Sequence, residues 1–278
     1  MTNRIFITGG ASGLGREIAL RWARTGARVC IGDVHDARGA TVLEEIRQAG
    51  GTGLFLHCDV TSTADLQAAA NRLVTEWNGV DIVVNNAGVA TAGTLDAEPI
   101  EQWEWILNIN LLGVVRGCQA FAPLFRAQRR GYFVNIASMA GLVHPPGMGS
   151  YNASKAAVVA FSETLHLELV NENVGVSVVC PSFFQTNLAE SLRTTDAKAA
   201  ANVQKLLRRG RVTAAQVADS IFNAVQVRQF LVLPHKDDRK TYLMKCYLPI
   251  RSYLQKMAKL TSKSFGRPRA VPDAPKGA

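Results

Sequence analysis

The sequence predicts an α/β fold built on a doubly wound parallel sheet in three layers, and three observations carry that prediction. Strand-like apolar runs alternate with helical periodicity from Arg4 to Leu233. The first run passes at once into a glycine-rich turn and a helix. The fourth, residues 80–84, is almost continuously β-branched, as a parallel strand covered on both faces requires.

The first strand spans residues 4–8, and the turn after it reads Gly-Gly-Ala-Ser-Gly-Leu-Gly. A helix over 16–25 follows, with apolar positions at Ile18, Ala19, Trp22 and Ala23. Strand, turn and helix N-terminus together make a diphosphate site. Amides point outward, the helix dipole favours negative charge, and missing Cβ atoms admit the ligand. Gly9, Gly13 and Gly15 are the glycines this turn needs, with Ser12 and Leu14 as further candidate dinucleotide contacts. The second strand, 27–33, ends in Asp33, where a carboxylate accepts hydrogen bonds from an adenosine ribose and repels a 2′-phosphate. Val34 rather than Arg follows it, and Ser12 stands where a basic residue would favour a phosphate. These details point to NAD rather than NADP.

Further strands are expected at 53–57, 80–84, 132–137, 174–179 and 230–233, and helices over 61–78, 99–124, 151–170 and 214–227. Asn110 lies among Ile109, Leu111 and Leu112 in the long helix, so its amide needs partners and is expected to bend the helix around a water. The Ala/Thr/Arg-rich stretch up to Arg211 reads as mobile.

The candidate chemistry lies between Ser138 and Lys155. Tyr151 and Lys155 are one helical turn apart and rise from the same face. A phenol, with an ordinary pKa of about 10, is a poor base near neutrality. An ammonium beside it favours the phenolate. Ser138, at the end of the fifth strand, is placed to hydrogen-bond the oxygen whose proton Tyr151 takes. A hydroxyl, a phenol and a lysine together point to proton transfer to or from an alcohol or carbonyl. Val143, His144, Pro145, Pro146, Met148, Phe183 and Phe184 make a largely apolar wall, with the two phenylalanines as a lid. A lipophilic alcohol or ketone is therefore expected, with His144 a candidate for a polar group on it or, more simply, an exposed loop residue with no role.

The net charge of +9 belongs to the end of the chain. Residues 236–278 hold eleven Lys/Arg against three Asp, leaving the remainder almost neutral. Within this extension Ile250, Tyr253, Leu254, Met257 and Leu260 fall on one arc of a helix, with Arg251, Gln255, Lys256, Lys259 and Lys263 opposite. Such a helix suits an anionic membrane surface, or equally the substrate pocket or a neighbouring subunit. Phe265 is the only aromatic residue after Tyr253, so nucleic acid is not an expected partner. Residues 1–233 are expected to form the catalytic domain, 234–263 a basic amphipathic extension, and 264–278 a disordered tail. Five cysteines lack metal-ligand spacing and read as free thiols in a reducing compartment, so no metal is expected. A strand starting at Arg4 leaves no room for a targeting peptide, and a cytoplasmic location is expected.

These residues resemble the short-chain dehydrogenase/reductase family in its classical subgroup, a Rossmann-type fold, over residues 4–233. Thr8-Gly9-x3-Gly13-x-Gly15, Asn85-Asn86-Ala87-Gly88, Asn110, Ser138 and Tyr151-x3-Lys155 fall in that family's order and spacing. The resemblance implies that Tyr151 is the acid/base, that Lys155 lowers its pKa and holds the nicotinamide ribose, and that Ser138 orients the substrate oxygen. It implies that Asn110 anchors a water on the proton path. Asp59 and Val60 would sit at the adenine, Asn86, Ala87 and Gly88 beside the cofactor's ribose, and Pro181 and Thr186 at the nicotinamide. It also implies a homodimer or homotetramer paired through helices 99–124 and 151–170. One departure stands out: Pro181-Ser182 replaces the usual Pro-Gly, putting a side chain where the loop normally has none. The alternatives are an NADP-linked carbonyl reductase on the same scaffold and a non-catalytic nucleotide sensor.

Overall fold

The computed structural model describes residues 3–184, 187–194, 196–208 and 210–265. Seven parallel strands form one sheet, β1 (Arg4–Thr8), β2 (Arg28–Asp33), β3 (Thr52–His57), β4 (Ile82–Asn85), β5 (Gly131–Ile136), β6 (Val174–Val179) and β7 (Leu231–Val232). Their order is β3-β2-β1-β4-β5-β6-β7. The chain reverses its direction of travel between β1 and β4, and the crevice beyond their carboxyl ends is where such a sheet binds ligands. Every residue of β1, β4, β5 and β6 is buried, which explains their predominantly apolar sequences.

Helices cover both faces. On one, α1 (Gly13–Ala23), α2 (Asp36–Gln48) and α9 (Ala214–Gln226) pack Ile18, Trp22, Ile46 and Ile221 onto Ile5, Ile7 and Ile31. On the other, α3 (Thr63–Trp77), α5 (Gly113–Gln128) and α7 (Gly149–Leu169) pack Leu66, Leu73, Phe121 and Val158 onto Phe6, Val83 and Phe133. The three-layer prediction holds. Ends are marked locally as well: Ser62 caps α3, Asn78 closes it in the left-handed region, and Thr213 with Gln216 makes a capping box on α9.

Three readings need correction. The helix α2 has no counterpart among the predicted elements. Residues 99–124 are not one helix: α4 (Ile100–Leu107) passes through a π-helical turn (Asn108–Leu112) into α5, which continues past Pro123. And much of the stretch expected to be mobile is structured, with a 3₁₀ turn (Asn187–Ser191) and α8 (Ala197–Arg208), where Val203 and Leu207, one turn apart, are buried. A four-residue helix, α6 (Ala140–Val143), follows β5, and the extension forms α10 (Lys236–Tyr247) and α11 (Ile250–Phe265). The helix α11 thus includes Ser264 and Phe265, and the remainder of the expected tail, 266–278, lies outside the described residues. No helix among the described residues is long and apolar enough to cross a membrane.

One ion pair locks the sheet's entry. Asp81 accepts from the Arg4 backbone N at 3.0 Å, Nε at 2.9 Å and Nη2 at 2.7 Å, while Arg4 Nη1 donates to the Trp77 and Asn78 carbonyls. Burial pushes the Asp81 carboxyl up, but the Arg4 hydrogen bonds and charge outweigh it and hold it below its ordinary value. The pair's stabilisation is therefore complete above the carboxylate's unfolded pKa and is lost as pH falls through the lower folded one. Arg4→Met is expected to cost about 2 kcal/mol at pH 7, and less at pH 3, in urea titrations.

Candidate active site

The glycine turn is built by close packing against the segment after β4. Gly9 has φ +63°, and a Cβ on Gly15 would lie 2.1 Å from the Gly9 carbonyl oxygen and 2.6 Å from Asn86 Nδ2. Asn86 Nδ2 donates to the carbonyls of Thr8 (2.9 Å) and Gly9 (3.0 Å), and Thr8 Oγ1 accepts from the backbone N of Asn86 and Ala87. Asn86 therefore braces the turn. Ser12 makes no side-chain cap on α1 and no acid occupies its first turn, so the helix's positive end faces the crevice.

Asp33 is buried, with Oδ2 accepting from Ala11 N at 2.9 Å and Oδ1 from His35 N at 3.0 Å. Asp59 turns its carboxylate to Thr61, accepting from its N and Oγ1 at 2.8 Å each. Both line one cavity of about 920 Å³, with Gly9, Ser12, Gly13, Leu14, Val60, Asn86, Ala87 and Gly88. The same cavity continues to Ser138, Tyr151, Lys155 and Pro181. The structure thus brings the glycine turn and the predicted acid/base to a single space. Gly15 lies beneath the turn rather than on the cavity wall, and Thr186 is outside the described residues.

Lys155 is fixed from below, donating from Nζ to the Ile136 carbonyl at 2.9 Å, and Nζ lies 5.9 Å from the centre of the Tyr151 ring. Burial pulls Lys155 down to about 8. Burial pushes the Tyr151 phenol up, opposed by its hydrogen bond with Ser138. Desolvation is thus the leading influence on both groups, and it opposes the expected lowering of the phenol by Lys155. Ser138 Oγ also accepts from Ala140 N at 3.1 Å, which orients it at the start of α6.

Asn110 is completely buried in the π turn, a geometry common at functional sites. Its Oδ1 accepts from Val89 N at 2.8 Å, and its Nδ2 donates to the Val89 carbonyl (3.0 Å) and Ser154 Oγ (3.2 Å). Ser154 in turn donates to the Tyr151 carbonyl at 2.8 Å. This side chain pins the bent helix to the segment after β4 and, through Ser154, to α7. A second buried chain does similar work, with Asn85 donating to Asn135 at 2.9 Å and Asn135 to Ser162 at 3.0 Å. Two asparagines at matching places in β4 and β5 were its only sequence signal.

Val143, Met148, Phe183 and Phe184 line the apolar end, joined by Trp105, Ile109, Met139, Leu188, Val203 and Leu207, none of them singled out by sequence. The roof is tied down where Arg193 bonds the backbone of Ala90 and Ala92 and stacks its guanidinium 3.7 Å from the Trp105 ring. His144 is a correction. It is exposed with φ +52° and is not part of the wall, and its ring nitrogens meet the Gly141 carbonyl and Lys245 Nζ instead. Ser182 lies outside the positive-φ residues, so its side chain brings no backbone strain, and its N donates to His235 Nδ1 at 3.3 Å.

The profile of the short chain dehydrogenase family matches residues 3–197. "Probable oxidoreductase EphD" of Mycobacterium tuberculosis is 35% identical over 81% of this chain, which spans only 40% of that protein's length. Cyclopentanol dehydrogenase of Comamonas testosteroni is 34% identical over 68% of this chain and 75% of its own. A short chain dehydrogenase/reductase from Burkholderia phymatum, solved in complex with NAD, superposes with a TM-score of 0.83 at 31% identity, covering 98% of both chains. A profile matched over most of the chain, on this sheet order and with these side chains around one cavity, means that the chain belongs to the short-chain dehydrogenase/reductase family.

Proposed function

We propose that the chain is an NAD-dependent oxidoreductase that interconverts a lipophilic secondary alcohol and its ketone, with Tyr151 as acid/base. The observation that carries this is the continuity of one cavity from Asp33 and the glycine turn to Ser138 and Tyr151. Ser12, Gly13, Asp33, Asn86 and Lys155 are the residues that fit a dinucleotide there, since their amides, carboxylate and ammonium suit a diphosphate and two riboses. When bound, the nicotinamide supplies the carbon that accepts or gives the hydride, and with it the positive charge that favours the phenolate. Tyr151 takes the hydroxyl proton in oxidation and returns it in reduction, and Ser138 Oγ–H donates to the same substrate oxygen. The aliphatic and aromatic wall excludes water and disfavours polyols. That one similar protein is a cyclopentanol dehydrogenase supports an apolar alcohol.

The preference for NAD rests on Asp33. The NADP-linked alternative has a cation at the cavity edge, Arg38, but Glu190 pairs with it at 2.8 Å. NAD is expected to exceed NADP in kcat/KM on the order of 100-fold, the scale of a like-charge clash at a partly screened site. Asp33→Ser should narrow that ratio. Initial rates of NADH formation across cyclic alcohols, aliphatic alcohols and polyols, run in parallel with NADP, test the reading. Turnover of polyols alone, or a preference for NADP, would refute it. A homodimer or homotetramer belongs to the same reading, supported by Leu167 and Val170, which lie exposed at the end of α7 and just beyond it.

A further inference from the structure

Among the described residues, the extension is tied inward by a few polar groups and leaves several apolar and basic side chains exposed. Lys245 Nζ donates to the Leu142 carbonyl and meets His144 Nδ1 at 3.0 Å, and Tyr253 Oη donates to the Val143 carbonyl at 2.8 Å. Tyr253 is buried and Met257 half-buried. The predicted apolar arc therefore splits: part of it packs against the loop that walls the cavity, while Ile250, Leu254 and Leu260 remain exposed at 64%, 58% and 61%. On α10, Leu243 is exposed too, and Tyr247 is 83% exposed.

The charge beside these side chains is one-sided. From Arg239 to Phe265 there are seven Lys/Arg and no Asp or Glu. Arg239, Lys240, Arg251, Lys256 and Lys259 are exposed and, among the described residues, form no ion pair. Exposed apolar side chains interleaved with unpaired cations are what an interfacial helix presents to lipid: the apolar groups enter the acyl boundary and the cations meet headgroup phosphates. A second copy of the chain fits poorly, because a two-fold contact through this face sets the same cations against themselves. A polynucleotide would use the cations and leave the aliphatic side chains without a role.

We infer that α10 and α11 form a docking surface for an anionic membrane. Because these helices bind the carbonyls of Leu142 and of Val143, and Val143 lines the cavity, docking would place the apolar end of the cavity beside the lipid phase. That consequence for substrate entry rests on the oxidoreductase reading, whereas membrane binding does not.

The test is flotation of the full-length protein with vesicles of phosphatidylcholine and phosphatidylglycerol, or of phosphatidylcholine alone, at about 0.1 M salt, where the Debye length is about 10 Å. Binding is expected with the anionic vesicles only. Lys256→Glu with Lys259→Glu should weaken it by at least about tenfold. Ile250→Ser with Leu254→Ser should weaken it about tenfold with the charge unchanged. All four side chains are exposed, and thermal melting checks that both variants fold. Absence of flotation with anionic vesicles overturns the inference. So does binding that the Ser pair leaves unchanged, which would mark a purely ionic polyanion site. So does an oligomer that the Ser pair dissociates in size-exclusion chromatography with light scattering, which would assign this face to a second copy. NADH formation in vesicle-free buffer reports separately on the redox reading.

Discussion

Tyr151→Phe is expected to lower kcat by about 10³-fold, within the range of a lost general acid/base, while NAD affinity changes by no more than a few-fold. The substitution keeps the ring that fills the space among Ala90, Ile106, Ala140 and Met148 and removes only the hydroxyl. Ser138 retains its bond from Ala140 N, so the neighbouring geometry persists. Stopped-flow hydride transfer and NAD binding by calorimetry separate the two effects. Near-normal turnover with intact binding would remove the phenol from the mechanism. Lys155 offers a contrast, because its Nζ is bound to the Ile136 carbonyl: Lys155→Met should lose activity and also leave that buried carbonyl unpaired, destabilising the fold by about 1–3 kcal/mol.

Gly15→Ala should abolish measurable NAD binding and lower the melting temperature. The added Cβ would sit 2.1 Å from the Gly9 carbonyl oxygen, a backbone atom that can retreat only by moving the turn. The same Cβ meets Asn86 Nδ2, whose two hydrogen bonds hold that turn to β4. Overpacking of this kind typically costs about 1–3 kcal/mol, and here it falls on the phosphate cradle itself. Calorimetric titration with NAD and a thermal melt of the unliganded protein read the two consequences. Unchanged NAD affinity would show that the turn is not the diphosphate site.

The parts of the fold that were legible in the sequence are those fixed by local pattern. β1, β2 and the turn follow from an apolar run, three glycines and a strand-end acid, and β6 matches its predicted span of 174–179. Tyr151 and Lys155 are four residues apart in one helix, so their common face needed no tertiary information. What was hidden depends on chain distance or subtler geometry. Residues 197–208 are mostly small or charged, and only the short Val203, Leu206, Leu207 pattern hints at a buried face. A π turn shifts helical phase by one residue, and an apolar count over 99–124 cannot register it. The partner of His144 is Lys245, a hundred residues away, and no spacing rule links them. The Asn85–Asn135–Ser162 chain likewise becomes visible only once β4, β5 and α7 are side by side.

The wide turn at Asn108–Leu112 also sets a limit on engineering. Removing one residue there would restore ordinary α-helical phase between α4 and α5. The same edit would swing Asn110 away from Val89 and Ser154 and release the helix that carries the phenol. The bend is therefore a poor place to seek stability, since straightening it costs buried hydrogen bonds as well as the placement of Tyr151.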